Sequence, residues 1–142
     1  MTMINYLTRI EFDYGATERI SAILEETKIS QPLIVTDQGL RDGPLFSSLI
    51  DSLRDKNHAV FAETPQNPTE QAVELAAGVY REHRCDGVIA FGGGSSIDLA
   101  KAVALHATHA EPLTTYAAVN AGVAKISPAV APVIAIPTTA GT

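Results

Sequence analysis

Four short runs of branched and aromatic apolar residues, Leu33–Thr36, Ala59–Phe61, Val88–Phe91 and Val133–Ile136, recur along the chain, with longer stretches of helical periodicity before and between them. Runs this short, bounded by Pro, Asp and Gly, suit strands buried on both faces better than helices. Strands that alternate with helices pair in parallel through right-handed crossovers, because each crossover must pack its helix back onto the sheet. The expected fold is therefore α/β, a Rossmann-like parallel sheet with helices on both faces. A ligand on such a sheet sits at the carboxyl ends of the strands.

The helical stretches are legible from their apolar spacing. Ile20, Ile23 and Leu24 share one face, and Leu45, Phe46, Leu49, Ile50 and Leu53 follow successive turns. A third helix is predicted from Pro68 to about His83, burying Ala72, Val73, Ala76 and Val79. Asn67 is placed to cap it, Pro68 to open it and Glu70 to complete a capping box. A fourth runs from near Ser95 towards His106. Between Thr108 and Pro132 the prolines and Gly122 interrupt an Ala-rich stretch, which reads as a connection with one short helix.

Composition narrows the function classes. The 142 residues suffice for one domain, and 46% hydrophobic with 18% charged residues is an ordinary globular balance. No apolar run approaches the roughly 18 residues that span a bilayer, and the opening Met1–Tyr6 lacks a secretory pattern. A cytoplasmic protein with no membrane partner is expected. The net charge of −6, with Lys and Arg scattered singly, argues against nucleic acid. Cys85 is the sole cysteine and reads as a small buried apolar residue. His106 and His109 fall three apart near a helix end with Glu111 beyond, a position imidazoles often take for dipole and solvation reasons; no metal ligand is assigned to them.

The segment Phe91-Gly-Gly-Gly-Ser-Ser-Ile-Asp98-Leu-Ala-Lys101 follows a predicted strand and opens a predicted helix. Gly92, Gly93 and Gly94 remove the side chains that would hold a pyrophosphate away, and the helix start offers free N–H groups with a partial positive charge. Ser95 can cap the helix or donate to a phosphate oxygen. A tight turn with Ser95 and Asp98 as a capping pair is the competing reading. The segment departs from two familiar templates, having neither the last glycine of the usual dinucleotide fingerprint nor the Gly-Lys-Ser/Thr of a P-loop.

Asp37 closes the first strand and is followed by Gln38-Gly39-Leu40. An acid at a strand end can accept hydrogen bonds from an adenosine ribose, and its charge disfavours a 2′-phosphate, so NAD is expected over NADP. In the usual fingerprint that acid follows the glycines by about 20 residues; here it precedes them. An Asp that merely opens a turn is the competing reading.

Taken in order, Ile34-Val-Thr-Asp37-Gln-Gly-Leu40, Asn67-Pro-Thr69, Gly92-Gly-Gly-Ser-Ser-Ile-Asp98-Leu-Ala-Lys101 and Ile136-Pro-Thr-Thr-Ala-Gly-Thr142 resemble the successive amino-terminal motifs of the iron-containing (group III, metal-dependent) alcohol dehydrogenases. The resemblance covers the whole chain. It implies an amino-terminal dinucleotide-binding domain of the dehydroquinate synthase-like kind, residues 1–142, with a carboxyl-terminal helical metal-binding domain missing. It also implies roles: Asp37 on the adenosine ribose, Gly92, Gly93, Gly94 and Ser95 at the pyrophosphate, Asn67 beside the cofactor, Asp98 near the nicotinamide ribose, and Thr138 and Thr139 as hydroxyl donors. Asn67 as a helix cap and the threonines as partners of local backbone groups compete with those roles.

The intact enzyme implied by the resemblance is a homo-oligomer that interconverts alcohols with aldehydes or ketones by hydride transfer to NAD, with iron or zinc held by an Asp and three His of the missing domain. No catalytic or metal residue is expected within these 142, and the chain alone should be inactive. Whether the substrate is a diol, a hydroxyacid or a simple alcohol is not written in this part. A sheet that stops early should leave an edge open to pairing with another chain. Two other readings stay open, a dehydroquinate synthase-like lyase domain and a stand-alone nucleotide-binding or interaction module.

Overall fold

The computed structural model describes residues 8–53 and 56–140. Met1–Tyr6, and Gly141 and Thr142 of the final motif, lie outside the described residues. Four strands, β1 (Pro32–Val35), β2 (Ala59–Phe61), β3 (Gly87–Gly92) and β4 (Val133–Pro137), form one parallel sheet in the order β2-β1-β3-β4. The register runs Leu33 to Ala59 on one side of β1 and Leu33 to Val88 on the other, with Val88 beside Val133. β1 and β3 are central and buried along their whole length, as their unbroken apolar sequences require.

Alternate residues of the central strands feed two cores, one on each face of the sheet. Leu33, Val35, Val88 and Ala90 pack with α4 (Glu70–Glu82) and α5 (Gly94–His106). Ile34, Ile89 and Phe91 pack with α1 (Ile20–Glu26) and α3 (Pro44–Leu53), where Phe91 meets Phe46 edge to face at 5.7 Å between ring centres. Helices on both faces thus follow from the period-two pleat of the strands. β4 is an edge strand, and Ala135 and Pro137 on it are exposed.

Several local expectations are corrected. α4 begins at Glu70, and its cap is Thr69, whose hydroxyl accepts from the Ala72 N–H at 3.2 Å. Asn67 is two residues too early, and Glu70, at the first helical position, cannot close a capping box. The reason is local: Thr69 has the extended backbone (φ −112°, ψ 158°) that lets a hydroxyl reach forward, and Pro68 stays outside the helix. The buried stripe of α4 is Ala72, Val73, Ala76, Ala77 and Tyr80; Val79 is only partly covered. On α3 the stripe is Phe46, Leu49 and Leu53, which leaves Leu45 off the core face and 63% exposed. The Thr108–Pro132 connection holds three short 3-10 turns, Leu113–Tyr116, Ala118–Asn120 and Gly122–Lys125, where one helix was expected.

Candidate dinucleotide site

From β1 the chain crosses to β2 on one side and later to β3 on the other, so the carboxyl ends of β1 and β3 flank the point where the winding reverses. Loops leaving such a point diverge and leave a crevice between them. A cleft of about 540 Å³ opens there, within the usual range for small-ligand sites. Its wall is made by Asp37, Leu40 and Leu45 after β1, Thr64, Pro65 and Gln66 after β2, Gly93 to Ser96 after β3, and Thr138 and Thr139 after β4.

Asp37 opens the helical turn α2 (Gln38–Arg41), and its Oδ1 accepts from the Leu40 N–H at 3.0 Å. It therefore is the turn-opening residue of the plainer reading. One carboxylate oxygen makes that bond, and the carboxylate also lines the cleft. Among the described residues of the cleft wall it is the only formally charged side chain.

The glycine turn owes its shape to Gly92, which has φ +154°, and a Cβ there would lie 2.5 Å from Ser96 Oγ. Only glycine allows β3 to run this closely under the first turn of α5. Gly93 caps α5 with extended backbone and no side-chain bond, and a Cβ on Gly94 would meet nothing within 4 Å. The helix start is thus open towards the cleft. Ser95 neither caps α5 nor stands free: its hydroxyl donates to the Gln66 carbonyl, which corrects the capping-pair reading. Asp98 is exposed and 3.8 Å from Lys101 on its own helix, so it is no capping partner either.

Two threonine-rich ties hold the surrounding loops. Thr64 donates both its N–H and its hydroxyl to the Thr36 carbonyl, at 3.3 and 2.6 Å. The Thr138 N–H donates to the Gly92 carbonyl at 3.0 Å, extending the β3–β4 pairing into the turn. Gly92 itself is buried beneath the wall. Of the residues singled out from sequence, Asp37, Gly93, Gly94, Ser95, Thr138 and Thr139 meet at the cleft, whereas Asn67 and Asp98 do not line it. Leu40, Leu45, Thr64, Pro65, Gln66 and Ser96 also line it, without a site role assigned from sequence. Thr64 and Gln66 lie in a loop without periodicity, and Leu45 was counted with the core because its helix is otherwise amphipathic.

Among the described residues no three His, Cys, Asp or Glu side chains converge to hold a metal ion. His106 Nε2 lies 3.6 Å from Glu74, and His109 Nε2 accepts from the Ser127 N–H at 3.0 Å. These residues do not fit the metal implied by the resemblance. A second cleft, of about 520 Å³, lies at the amino-terminal turn between Glu11 and Arg19. Its described wall carries three acids, Glu11, Asp13 and Glu18, against one cation, Arg19, which is already paired with Glu11 and Glu26, so it does not suit a phosphate. No helix among the described residues is long and apolar enough to cross a membrane.

This arrangement, an acid after one central strand and a glycine-opened helix after the other, belongs to the doubly wound class of parallel α/β domain, with its cleft at the reversal of the winding. The chain belongs to the iron-containing alcohol dehydrogenase family, whose model matches residues 8–142. It is 49% identical over 142 residues to a 4-hydroxybutyrate dehydrogenase of Cupriavidus necator, covering 100% of this chain and 37% of that protein. Among solved structures it is similar to a 1,3-propanediol oxidoreductase (TM-score 0.81, 28% identity, 90% of this chain and 33% of that one). It is also similar to the sulfoacetaldehyde reductase of Bifidobacterium kashiwanohense in complex with NAD+ (TM-score 0.78, 31% identity, 90% of this chain and 33% of that one). The chain therefore spans about a third of the length of the relatives it matches.

Proposed function

We propose that these residues form the NAD-binding part of an alcohol dehydrogenase that interconverts a small alcohol and its aldehyde or ketone. The observation that carries this reading is the meeting of Asp37, the Gly93–Ser95 turn and Thr138–Thr139 in one cleft at the reversal of the winding. In it Asp37 accepts hydroxyls of the adenosine ribose, and its charge repels a 2′-phosphate. The N–H groups at the start of α5 receive the pyrophosphate, with Gly92 letting the strand pass beneath. Thr138 and Thr139 orient the cofactor from the β4 side; Asn67 and Asp98, outside the cleft wall itself, are assigned to the cofactor's surroundings, Asn67 beside it and Asp98 near its nicotinamide-side ribose. NAD supplies the hydride acceptor. Family membership favours this oxidoreductase reading over a lyase.

The metal, the substrate wall and the catalytic groups belong, in this proposal, to parts of the intact homo-oligomeric enzyme beyond these residues. Orientation of substrate against cofactor accounts for roughly 7 to 11 kcal/mol of barrier lowering in well-placed reactions, so the 142-residue chain alone should bind NAD and turn nothing over. Calorimetric titration with NAD, beside an NADH-formation assay with 4-hydroxybutyrate, 1,3-propanediol and added ferrous iron or zinc, tests both halves. Absence of NAD binding into the millimolar range would refute the cofactor site. Metal-dependent turnover by the purified chain would refute the division of labour.

A further inference from the structure

The loop that follows β2 reaches the cleft with little to hold it. Thr64 is tied at its start by the two bonds to the Thr36 carbonyl, and Thr69 at its end by capping α4. Between them lie Pro65, Gln66, Asn67 and Pro68, of which the last three are exposed. The two prolines have no N–H to give. Among the described residues a single hydrogen bond joins this stretch to the body of the domain, from the Ser95 hydroxyl to the Gln66 carbonyl. It fastens the loop after β2 to the glycine turn after β3, two walls of one cleft.

We infer that Ser95 is a positioning residue, whose hydroxyl latches Pro65–Pro68 to the glycine turn and so holds the cleft in the shape that receives the cofactor. The inference rests on the cofactor reading above and changes the part of Ser95 in it. A hydroxyl has one proton. Given to the Gln66 carbonyl, it leaves the serine oxygen with lone pairs alone, and these repel an anionic phosphate oxygen. Phosphate is then left to the backbone. The first N–H bonded within α5 is that of Ile97, to the Gly93 carbonyl, so those of Gly94, Ser95 and Ser96 have no partner in the helix. A serine that capped α5 would occupy one of these N–H groups; bound to Gln66 instead, Ser95 leaves all three to the ligand. A stretch with one tie loses its place when that tie goes, and a ligand must then order it on binding, at a cost in affinity.

The test compares the 142-residue chain with Ser95→Ala, which removes the hydroxyl, and Ser95→Thr, which keeps one. Ser95 is only partly buried, in the first turn of α5, so both variants should keep the parent's thermal transition. Backbone relaxation measured by NMR should give Gln66 and Asn67 rigid order parameters of roughly 0.85 in the parent and in Ser95→Thr, and values below about 0.6 in Ser95→Ala. In calorimetric titration, Ser95→Ala should bind NAD about threefold to tenfold more weakly, the scale of one net hydrogen bond, with Ser95→Thr near the parent. Inorganic pyrophosphate, which needs only the N–H groups of α5, should not distinguish the three proteins. Unchanged order parameters in Ser95→Ala would overturn the latch, and a loss of pyrophosphate affinity equal to that of NAD would make the hydroxyl a direct phosphate donor instead. Unchanged NAD affinity beside a loosened loop would overturn the positioning role. If the parent bound no NAD, the cofactor reading would fall and the positioning role with it, while the order parameters would still decide whether Ser95 holds the loop.

Discussion

Gly92→Ala tests the turn on which the site depends. Two costs add at this position. A non-glycine residue held at φ +154° sits in a region essentially reserved for glycine, at about 1–3 kcal/mol. The new methyl would also lie 2.5 Å from Ser96 Oγ and 2.8 Å from Ser96 Cβ, and relieving such overpacking costs about 1–3 kcal/mol more. Ser96 is 1% exposed in the first turn of α5 and cannot swing away into solvent. The expected loss is therefore about 2–6 kcal/mol, a large share of a domain's total stability. The two costs separate in a double-mutant cycle: Ser96→Gly removes the steric conflict and leaves the backbone one. Urea unfolding followed by circular dichroism should give a favourable coupling of about 1–3 kcal/mol between the substitutions. A Gly92→Ala protein within 0.5 kcal/mol of the parent, or strict additivity with Ser96→Gly, would refute the close approach of β3 to α5.

Thr36→Val should stabilise the chain by about 1–2 kcal/mol, because Thr36 Oγ1 is fully buried without a hydrogen-bond partner and valine keeps the shape; a loss in the same melts would mean that the hydroxyl is satisfied after all. Burial pushes the Cys85 thiol up to about 11 and the Tyr80 phenol up to about 12, each raised further by the charge of Asp86. Both groups fold neutral, so their contribution is whole below the unfolded values of 9 and 10 and is lost as pH rises through the folded ones. Alkaline melts should lose stability between those limits, and Cys85→Ala with Tyr80→Phe should flatten the slope; an unchanged slope would refute the assignment. Asp37→Asn keeps an oxygen for the Leu40 N–H and removes the charge, so it should narrow the preference for NAD over NADP with little change in stability; equal binding of both cofactors by the parent would show Asp37 to be a cap alone.

The parts of this fold that could be read from sequence are those where punctuation and periodicity coincide. β1 and β3 are apolar on both faces and end in Asp37 and the glycine turn, so strand, stop and site residue were written together. The parallel order followed from alternation, and the crevice from the order. What escaped was set by contacts between segments distant in sequence. Ser95 stands at a helix start, where sequence offers its hydroxyl to the cap or to a phosphate, yet that hydroxyl goes to Gln66, 29 residues away. Asn67 and Thr69 are both good capping residues, and only backbone geometry chose the second. Leu45 carries the same apolar signal as Phe46 and Leu49, and a one-residue displacement around the helix moves it from the core to the cleft. The 3-10 turns between Leu113 and Lys125 have no period to read.

The charge pattern of the cleft leads to a last prediction. An anionic dinucleotide meeting a chain of net charge −6 is repelled at long range, and the described cleft wall offers no Lys or Arg to offset this. Attraction must then come from the N–H groups at the start of α5, whose partial charge acts within about one helical turn. Forces of these two ranges respond differently to salt. At about 0.1 M the screening length is already roughly 10 Å, so added salt weakens the diffuse repulsion while leaving contact hydrogen bonds nearly intact. The affinity for NAD should accordingly stay flat or rise slightly, within about threefold, between low and near-molar sodium chloride. A tenfold fall would mean that an unshielded cation reaches the pyrophosphate. The candidates are exposed Arg41 on α2 and Lys101 on α5, and Arg41→Gln and Lys101→Gln would identify which of them shares the task assigned here to the backbone.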